Sequence, residues 1–552
     1  MTQVLKSKDM AQSTFDVNTF FDNFEMFADA PNAVAKMREL ILQLAVQGQL
    51  GTQNETDEPL RVTLPLNRKN LVPTDLGTFR NQRESLPRGW QLDRLNQLGN
   101  FCGGGTPSMK RREYWDGPVL WVSPKDMKRP HITSTEMRIT EAALNGTRIR
   151  LVPPNSVLIV ARSGILKRTL PVSVNDVECT VNQDLKVLIL ERPETSEFIR
   201  ILLKGHEQFI LTTLIKGGVT VQSLKHEEFE NQEFPLPPLA EQKRIVEKVD
   251  QLMKLCDEFA LQQESRRVAR QRLVVASLNR LTSPNSAADS VKHAKYVQDH
   301  FDLLFDTPTT IPHLRRTILQ LAVQGKLVPQ DPNDEPADIA ENNTITTRPL
   351  MVPSLWRWGL LEQVAESRLG KMLDKAKNVG TSRVYLRNTN VHWMRFDLTS
   401  LKEMPFKDEE LAEFEVRHGD VLICEGGHGI GRTAVWKGEC KQILFQKALH
   451  RVRPGKCLDG YYLAFCMRVY DAIGILQTYY TGAGIPHLTG RSLAKLLFPI
   501  PPHAEQIRIV AKVAELMSLC DALEFQLQST ATASTNVLNA VVSQLMSSTS
   551  HV

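Results

Sequence analysis

One stretch of the chain has the residue types and spacing of a phosphate-binding loop. Gly426-Gly-His-Gly-Ile-Gly-Arg-Thr433 follows an apolar run, as such a loop follows a strand, but it carries arginine where lysine is required. The corresponding stretch, Arg162-Ser-Gly-Ile-Leu-Lys-Arg-Thr169, lacks this glycine pattern, and no helix-forming sequence follows either stretch. We therefore interpret both as turns that bind no nucleotide.

Cysteine and charge patterns exclude several other classes of protein. The eight cysteines include no CxxC and no Cys/His cluster, so neither a zinc site nor a disulfide framework is predicted. No apolar run reaches the roughly 20 residues that span a membrane, and the first residues lack a signal-peptide core, so we expect a cytoplasmic protein. The net charge of +5 is too mild to indicate nucleic-acid binding by itself.

Two long helices are predicted, and they are near copies of each other. Each opens with prolines, Phe234-Pro-Leu-Pro-Pro and Phe498-Pro-Ile-Pro-Pro, which suit a helix start. Residues then recur at steps of three and four, the spacing that packs one helix along another, and each helix can run roughly 45 residues, about 66 Å. The first seam comprises Gln242, Ile245, Val249, Leu252, Cys256 and Phe259, and the second comprises Gln506, Ile509, Val513, Leu516, Cys520 and Leu523.

The rest of the chain repeats as well. Leu42 to Gly48 is identical to Leu319 to Gly325, and each copy predicts a short helix that ends at its glycine. Two blocks of short strands and turns follow polar linkers, and their buried-strand runs are Val157 to Val160 and Val421 to Cys424.

The predicted organisation is therefore a tandem duplication in which the helices are alike and the blocks differ. Differing blocks indicate two different ligands or two versions of one ligand, although duplicated blocks can also drift apart without a functional cause. The predicted divisions are 1–85 (lead-in and helical segment), 86–238 (first block), 239–282 (first long helix), 283–349 (linker and helical segment), 350–502 (second block) and 503–547 (second long helix).

These features resemble the specificity subunits of type I restriction–modification systems, over about residues 24–547. The resemblance rests on the paired helices FPLPPLAEQKRIV and FPIPPHAEQIRIV and on the segments LQLAVQGQL and LQLAVQGKL. It rests also on Gly103-Gly-Gly-Thr-Pro-Ser108 with the following Trp121-Val-Ser-Pro-Lys-Asp-Met127, which looks like the opening of a target recognition domain. The second block departs from that motif, with Arg368-Leu-Gly-Lys-Met372 in its place.

The resemblance implies a fold and a set of partners. It implies an α+β chain whose two target recognition domains, made of short strands and helices, are joined by two long antiparallel coiled-coil helices. It implies that 38–50 closes onto helix 503–547, and that 315–327 packs near helix 239–281. Double-stranded DNA, two methyltransferase subunits and restriction subunits are the implied partners, while S-adenosylmethionine, ATP and Mg would be cofactors of those partner subunits.

Candidate DNA contacts are side chains with directed donors and acceptors, or with positive charge for phosphates. The alternative for each is a solvated surface residue. In the first block the candidates are Thr106, Ser108, Lys110, Arg111, Arg112, Lys125, Arg162, Ser163, Lys167, Arg168 and Gln183. In the second block they are Arg387, Asn388, Asn390, His428, Arg432, Gln446 and Lys447.

Other residues have two interpretations. Trp90, Trp115, Trp121, Trp356 and Trp393 fit domain cores better than base stacking. The outer helix faces are equally consistent with a methyltransferase docking surface and with a solvated face; they bear Lys243, Arg244, Glu247, Arg266 and Arg267.

The resemblance makes a subunit that reads a two-part DNA target the leading hypothesis. We expect it to be non-catalytic, because the chain has neither a cofactor loop nor the Asn/Asp-Pro-Pro-aromatic motif of base-amine methylation. The two half-sites would be separated by at most about two helical turns of DNA, with one turn favoured. The rival hypothesis is an adaptor whose two blocks bind proteins.

Overall fold

The computed structural model describes residues 30–59, 86–218, 221–283, 286–339, 348–374, 378–427, 429–440, 442–482 and 484–547. The chain divides into two compact units, one of residues 1–265 and 531–552 and the other of residues 266–530. The predicted lead-in over 1–23 and the linker residues 60–85 lie outside the described residues.

The first unit contains the first block and parts of both long helices. Its elements are α1 Ala33–Val46, β1 Gln91–Arg94, α2 Leu95–Leu98, β2 Gly99–Gly103, β3 Trp115–Val122, β4 His131–Ile132, β5 Met137–Ile139, α3 Glu141–Gly146, β6 Val157–Val160, β7 Arg162–Ser163, β8 Val172–Asn175, β9 Thr180–Val181, β10 Leu185–Leu190, α4 Ser196–Gly205, α5 Glu207–Thr213, β11 Ile215–Lys216, β12 Gln222–Leu224, α6 His226–Glu230, β13 Glu233–Leu236 and the start of α7 Leu239–Thr282.

The second unit repeats much of this order, with fewer strands and with elements of different lengths. After the end of α7 come α8 Ala287–Asp299, α9 Phe301–Leu304, α10 Ile311–Val323, β14 Arg357–Leu360, α11 Leu361–Val364, β15 Ala365–Leu369, β16 Thr381–Leu386, β17 Val391–His392, β18 Arg395–Phe396, β19 Lys402–Phe406, α12 Leu411–Phe414, β20 Val421–Cys424, β21 Thr433–Val435, β22 Leu444–Phe445, β23 Leu449–Pro454, α13 Gly460–Ala472, α14 Gly490–Ala494, β24 Leu497–Ile500 and α15 His503–Ser547. The polar helix α8 is an element that the sequence patterns did not predict.

Over the described residues, the two blocks share a core sheet and a smaller sheet, but the core sheet has five strands in the first block and four in the second. The first block has a five-stranded sheet in the order β2-β10-β6-β8-β4 and a three-stranded sheet β5-β3-β9. The second has β15-β23-β20-β21 and β19-β16-β22, so each block repeats one core sheet and one smaller sheet. A short pair closes each block, β1 with β13 and β14 with β24, while β11-β12-β7 and β17-β18 differ between them.

The predicted buried strands form the centre of each core sheet. Every residue of β6 and of β20 is buried, and both strands have a neighbouring strand on each side. In β20, Val421 and Ile423 pack with α13, while Leu422 and Cys424 pack with the smaller sheet. Such strands read as continuous apolar runs rather than as alternating ones. This confirms the two strand predictions.

The two long helices run from Leu239 to Thr282 and from His503 to Ser547, which confirms the predicted bounds. In the first unit, Val249 and Cys256 of α7 share a hydrophobic core with Leu538 and Val542 of α15. In the second unit, residues near the end of α7 share a core with residues near the start of α15. The start of each helix thus packs with the end of the other, as antiparallel helices do.

A repeated set of contacts joins each block to its helix. The indole Nε1 of Trp90 donates to Glu241 at 3.1 Å, and Nε1 of Trp356 donates to Glu505 at 2.9 Å. The tryptophan prediction is confirmed for Trp90, Trp121 and Trp356, which are buried; Trp115 and Trp393 are half-buried.

The short repeated helices end as predicted, since Gly48 and Gly325 both adopt positive φ. Their polar contacts differ in part from the implied arrangement. Arg38 forms an ion pair with Asp257 of α7, and the counterpart Arg315 forms one with Asp521 of α15, so these contacts stay within one repeat.

Two observations nevertheless fit the implied packing of these two segments. Helix α1 shares its core with the end of α15, and the Nζ of Lys326 donates to the carbonyl of Thr282 at 3.1 Å. In the described part of the chain, no helix is long and apolar enough to cross a membrane.

Candidate nucleic-acid interface

In the first block, a parallel pair of strands brings two predicted contacts to one edge. Strands β3 and β9 run parallel, with Trp121 opposite Thr180 and Val122 opposite Val181. The chain therefore leaves both strands at the same end of the sheet. Exposed Lys125 follows β3, and exposed Gln183 follows β9. We name this end of the sheet the first edge.

The glycine-rich loop closes onto the first edge. The amide of Gly105 donates to the carbonyl of Val181 at 2.9 Å, and the indole of Trp121 donates to the carbonyl of Gly105 at 2.9 Å. A Cβ on Gly104 would lie 2.0 Å from the carbonyl oxygen of Val181, so only glycine fits there. The Thr106 hydroxyl hydrogen bonds the side-chain amide of Gln183, which orients that side chain.

Strand β7 adds a cation to the same edge. The main-chain amide of Arg162 donates to the carbonyl of Asp184 at 3.1 Å, and its guanidinium Nε lies 3.9 Å from the Asp184 carboxylate. Sequence reasoning missed Asn182 and Asp184, which shape this turn: the Asp184 amide donates to Oδ1 of Asn182 at 3.0 Å. The local sequence Asn-Gln-Asp was the available signal for that turn.

The remaining candidates of the first block take other positions. Arg111 donates to the hydroxyl of Tyr114 at 2.7 Å, which ties down the loop that also carries Ser108, Lys110 and Arg112, all exposed. Ser163 caps the short 3-10 helix Gly164–Lys167 by accepting from the amide of Ile165. The exposed Lys167 and Arg168 lie at the end of that helix.

The second block builds an equivalent edge from different side chains. Strands β16 and β22 run parallel, with Leu386 opposite Phe445, and the amide of Gln446 donates to the carbonyl of Leu386 at 3.1 Å. Arg387 follows β16, while Gln446 and Lys447 follow β22, and all three are half-buried. We name this end of the sheet the second edge.

The segment Arg368–Met372 takes the place of the glycine-rich loop, as the sequence suggested. A Cβ on Gly370 would lie 2.3 Å from the carbonyl of Gln446, and the amide of Lys371 donates to the carbonyl of Phe445 at 3.2 Å. Gly370 therefore permits the same close approach as Gly104. The side chain of the next residue, Lys371, is held within the domain: its ammonium pairs with Glu410 and lies 4.8 Å from the centre of the Phe406 ring.

Three candidates of the second block are held by the protein itself. Arg387 donates to the carbonyl of Ser400 at 2.7 Å, and Asn388 donates to the carbonyl of Gly426 at 3.2 Å. Asn390 is completely buried: its Oδ1 accepts from the amide of Arg387, and its Nδ2 donates to the carbonyl of Asp397, both at 2.9 Å. Burial thus places Asn390 inside the domain, where it shapes the loop rather than facing solvent.

The loop with phosphate-binding spacing is a turn, as predicted. It joins β20 to β21, so a strand rather than a helix follows it, and the amide of Cys424 donates to the carbonyl of Arg432 at 2.9 Å. Gly427, Gly429 and Gly431 adopt positive φ in this turn. The predicted contact His428 lies outside the described residues.

Buried thiols in both blocks are unsuited to nucleophilic chemistry. Burial raises the pKa of Cys179, of Cys424 and of Cys466 to about 12, which keeps each thiol protonated near neutral pH. The described residues contain no cluster of three or more His, Cys, Asp or Glu side chains that could hold a metal ion.

Sequence and structure comparisons identify relatives of this chain. Residues 87–265 match the type I restriction modification DNA specificity domain. The EcoAI type I restriction enzyme specificity subunit of Escherichia coli is 26% identical, covering 89% of this chain and 90% of that protein. The EcoR124I/EcoR124II specificity subunit of E. coli is 36% identical over a shorter region, 33% of this chain and 45% of that protein.

A solved structure, the HsdS subunit from Thermoanaerobacter tengcongensis, aligns with 84% of this chain and 97% of its own at 19% identity and a TM-score of 0.38. The domain match covers the first block, and the similarity to the EcoAI subunit extends over nearly the whole chain. The chain is therefore similar to type I restriction–modification specificity subunits over most of its length, and residues 87–265 match their DNA specificity domain.

Proposed function

We propose that this chain is a non-catalytic subunit that recognises a two-part DNA sequence, one half through each block. The observation that carries this proposal is the repeated edge. Both blocks hold a parallel strand pair and a glycine-permitted close approach, yet Lys125 and Gln183 stand at one edge where Arg387, Gln446 and Lys447 stand at the other. Two blocks with the same strand arrangement but different hydrogen-bond donors and acceptors are suited to recognising two different base sequences.

The side chains at the two edges have the chemistry of base readout. Glutamine can donate to and accept from adenine at once, and arginine or lysine can donate to the two acceptors of guanine in the major groove. The remaining exposed cations, such as Lys110 and Arg112, suit phosphates, which position a protein without reading sequence. Hydrogen bonds from Thr106 to Gln183 and from Arg387 to Ser400 restrict side chains before DNA arrives.

Exposed apolar side chains on the long helices support two copies of a methyltransferase subunit as partners. Leu255 and Leu261 of α7 are 58% and 72% exposed, and their repeat counterparts Leu519 and Phe525 of α15 are 59% and 72% exposed. Apolar side chains this exposed, recurring at matching positions, indicate one docking surface present twice. On the same outer face, Arg244 is not free for docking, because it pairs with Asp57.

The chemistry of the complex would belong to the partners. The methyltransferase subunits would bind S-adenosylmethionine, and the restriction subunits would bind ATP and Mg, while this chain binds no cofactor. The complex would act in the cytoplasm, where the chromosome is its substrate.

A map of methylated bases in the source cell, with and without this gene, tests the function directly. We expect methylation to disappear at one split, asymmetric sequence and to persist elsewhere. An unchanged map in cells that express the partner subunits would contradict the proposal and favour the protein-binding adaptor. Binding to duplex DNA that weakens steeply with added salt would support DNA contact independently, because phosphate contacts release counterions.

A second experiment tests the role of the helices. Deleting two heptads from both α7 and α15 should change the spacer between the half-sites and leave the half-sites themselves unchanged. A matched control replaces the same heptads with a different heptad sequence of equal length, and it should keep the spacer. An unaltered spacer in the shortened protein would refute the idea that helix length sets the separation.

A further inference from the structure

The second unit contains a cavity that the proposed DNA and methyltransferase contacts leave unexplained. Its volume is about 840 Å³, and it lies where α10, α13 and α15 meet the β17–β18 hairpin. Apolar side chains from the three helices form its floor: Leu319, Phe465, Val510, Val513 and Met517. We name this cavity with its surrounding cations the basic groove.

Cationic side chains surround the apolar floor. Arg316, Arg395 and Lys437 are exposed, and in the described part of the chain none of the three forms an ion pair. Arg468 lies 4.9 Å from the Trp393 ring centre. Asp521 is the one carboxylate among the lining residues, and Arg315 already pairs with it.

The corresponding place in the first unit carries carboxylates that lie beside cations. Glu39 of α1 stands where Arg316 stands in the second unit, Glu197 of α4 where Tyr461 stands, and Asp250 of α7 where Ala514 stands. Burial, and then the neighbouring carboxylate of Glu197, raise the pKa of Asp250, while Arg200 and His131 lower it. Glu197 itself pairs with Arg200 at 2.9 Å, and Glu39 pairs with Lys36 at 2.9 Å. The helices around the two places match, but the charged side chains they carry differ.

We propose that the basic groove binds an acidic peptide segment of a partner polypeptide, with an apolar residue at its centre. The apolar floor would cover that residue, and Arg316, Arg395 and Lys437 would pair with the flanking carboxylates. Duplex DNA fits less well, because its phosphates follow a rigid rod and cannot cover an apolar concave floor. Because the first unit carries paired carboxylates where the second carries exposed cations, each chain would bind one such segment, in contrast to the two helix surfaces.

A defined probe tests this proposal on the full chain in complex with its partner subunits. The probe is a fluorescein-labelled helical peptide with leucines along one face and glutamates beside them, and its matched control carries glutamine in place of glutamate. Fluorescence anisotropy should show binding of the glutamate peptide. The glutamine peptide should bind about tenfold more weakly, since several rim ion pairs are lost.

Variants locate the binding. The triple variant Arg316→Glu, Arg395→Glu and Lys437→Glu should bind the glutamate peptide at least about tenfold more weakly than the parent. The matched control reverses three exposed lysines outside the groove, Lys402, Lys407 and Lys456, and should leave the affinity within about twofold. Cross-links from the peptide should map to the groove, and the variants' circular dichroism should match that of the parent.

Three outcomes would overturn the proposal. If both triple variants weakened binding of the glutamate peptide equally, the peptide would be attracted by the net charge of the protein rather than by the groove. Displacement of the peptide by inorganic phosphate at equal concentration would indicate a small anion site. Competitive displacement by a short duplex of unrelated sequence, with DNA affinity lost in the groove variant, would make the groove a DNA contact.

Discussion

The two recognition blocks of this chain share a frame and differ where that frame ends. Trp121 and Val122 pair with β9 as Tyr385 and Leu386 pair with β22, and each pair is followed by an amide that donates back across the strands. The contacts between block and helix also repeat. The side chains beyond the strand ends do not repeat. The repeated strand pairs therefore give both blocks the same main-chain geometry at the strand ends, while the loop side chains beyond those ends can differ.

The largest effect should come from the close approach that both blocks share. Gly104→Ala or Gly370→Ala would place a Cβ within 2.0 Å or 2.3 Å of main-chain atoms, so we expect each to lower the free energy of unfolding of its own unit by about 3 kcal/mol. Urea denaturation measures this change.

Open space elsewhere provides matched controls for the glycine substitutions. A Cβ added at Gly103 or at Gly484 would have no atom within 4 Å, so Gly103→Ala and Gly484→Ala should cost under about 1 kcal/mol. If the controls destabilised as much as Gly104→Ala and Gly370→Ala, the shared close approach would not be the reason for glycine.

The next largest effect should separate the two half-sites. Gln183→Ala should weaken binding only where the first half-site is intact, and Gln446→Ala only where the second is intact, by about 1–3 kcal/mol, or roughly tenfold to a hundredfold. Affinity for duplexes with one half-site scrambled measures both effects. Lys407→Ala serves as a control for non-specific charge, because Lys407 follows β19 at the end of the sheet where β16 begins, away from the second edge. Equal loss on both scrambled duplexes would refute the assignment of one edge to one half-site.

A smaller effect should come from ion pairs that join linker and helix in both units. Arg244 pairs with Asp57, and Arg508 pairs with Asp334 through two hydrogen bonds, at 3.2 and 2.5 Å. Arg508→Ala should cost about 1 kcal/mol of unfolding free energy, because the aspartate side chain is only 9% exposed. Lys512→Ala removes an exposed pair on the same helix and should cost under about 0.5 kcal/mol. A larger cost for the exposed pair would contradict this ranking.

The sequence predicted the scaffold far better than the edges. Proline entries and three-four periodicity gave the bounds of α7 and α15, because a long helix is specified by local sequence and one packed face. Asn390 shows the limit: its sequence position beside Arg387 suggested DNA contact, but the loop folds back and buries it. The burial of Asn390 depends on where the main chain at Asp397 lies, because Asn390 donates to its carbonyl. Tertiary packing sets that position, and residue type alone does not predict it. The basic groove likewise needs three helices that are distant in sequence.

The smallest effect concerns a buried carboxylate that the two units share. Burial raises the pKa of Glu241 and of Glu505 above the ordinary glutamate value, although each accepts a hydrogen bond from a tryptophan. A raised folded pKa means that the folded state binds the proton more tightly, so stability is highest below the ordinary value. It falls as pH rises through the raised pKa.

Glu241→Gln and Glu505→Gln should therefore flatten this decline, because glutamine stays neutral and can still accept from the tryptophan. We expect the variant to gain under about 1 kcal/mol relative to the parent between about pH 4 and pH 7, measured by urea denaturation of each unit. Trp90→Phe and Trp356→Phe should act in the opposite direction, since removing the donor raises the carboxyl pKa further and steepens the decline. A pH response in one unit alone would show that the duplicated contacts, alike in geometry, have diverged in energy.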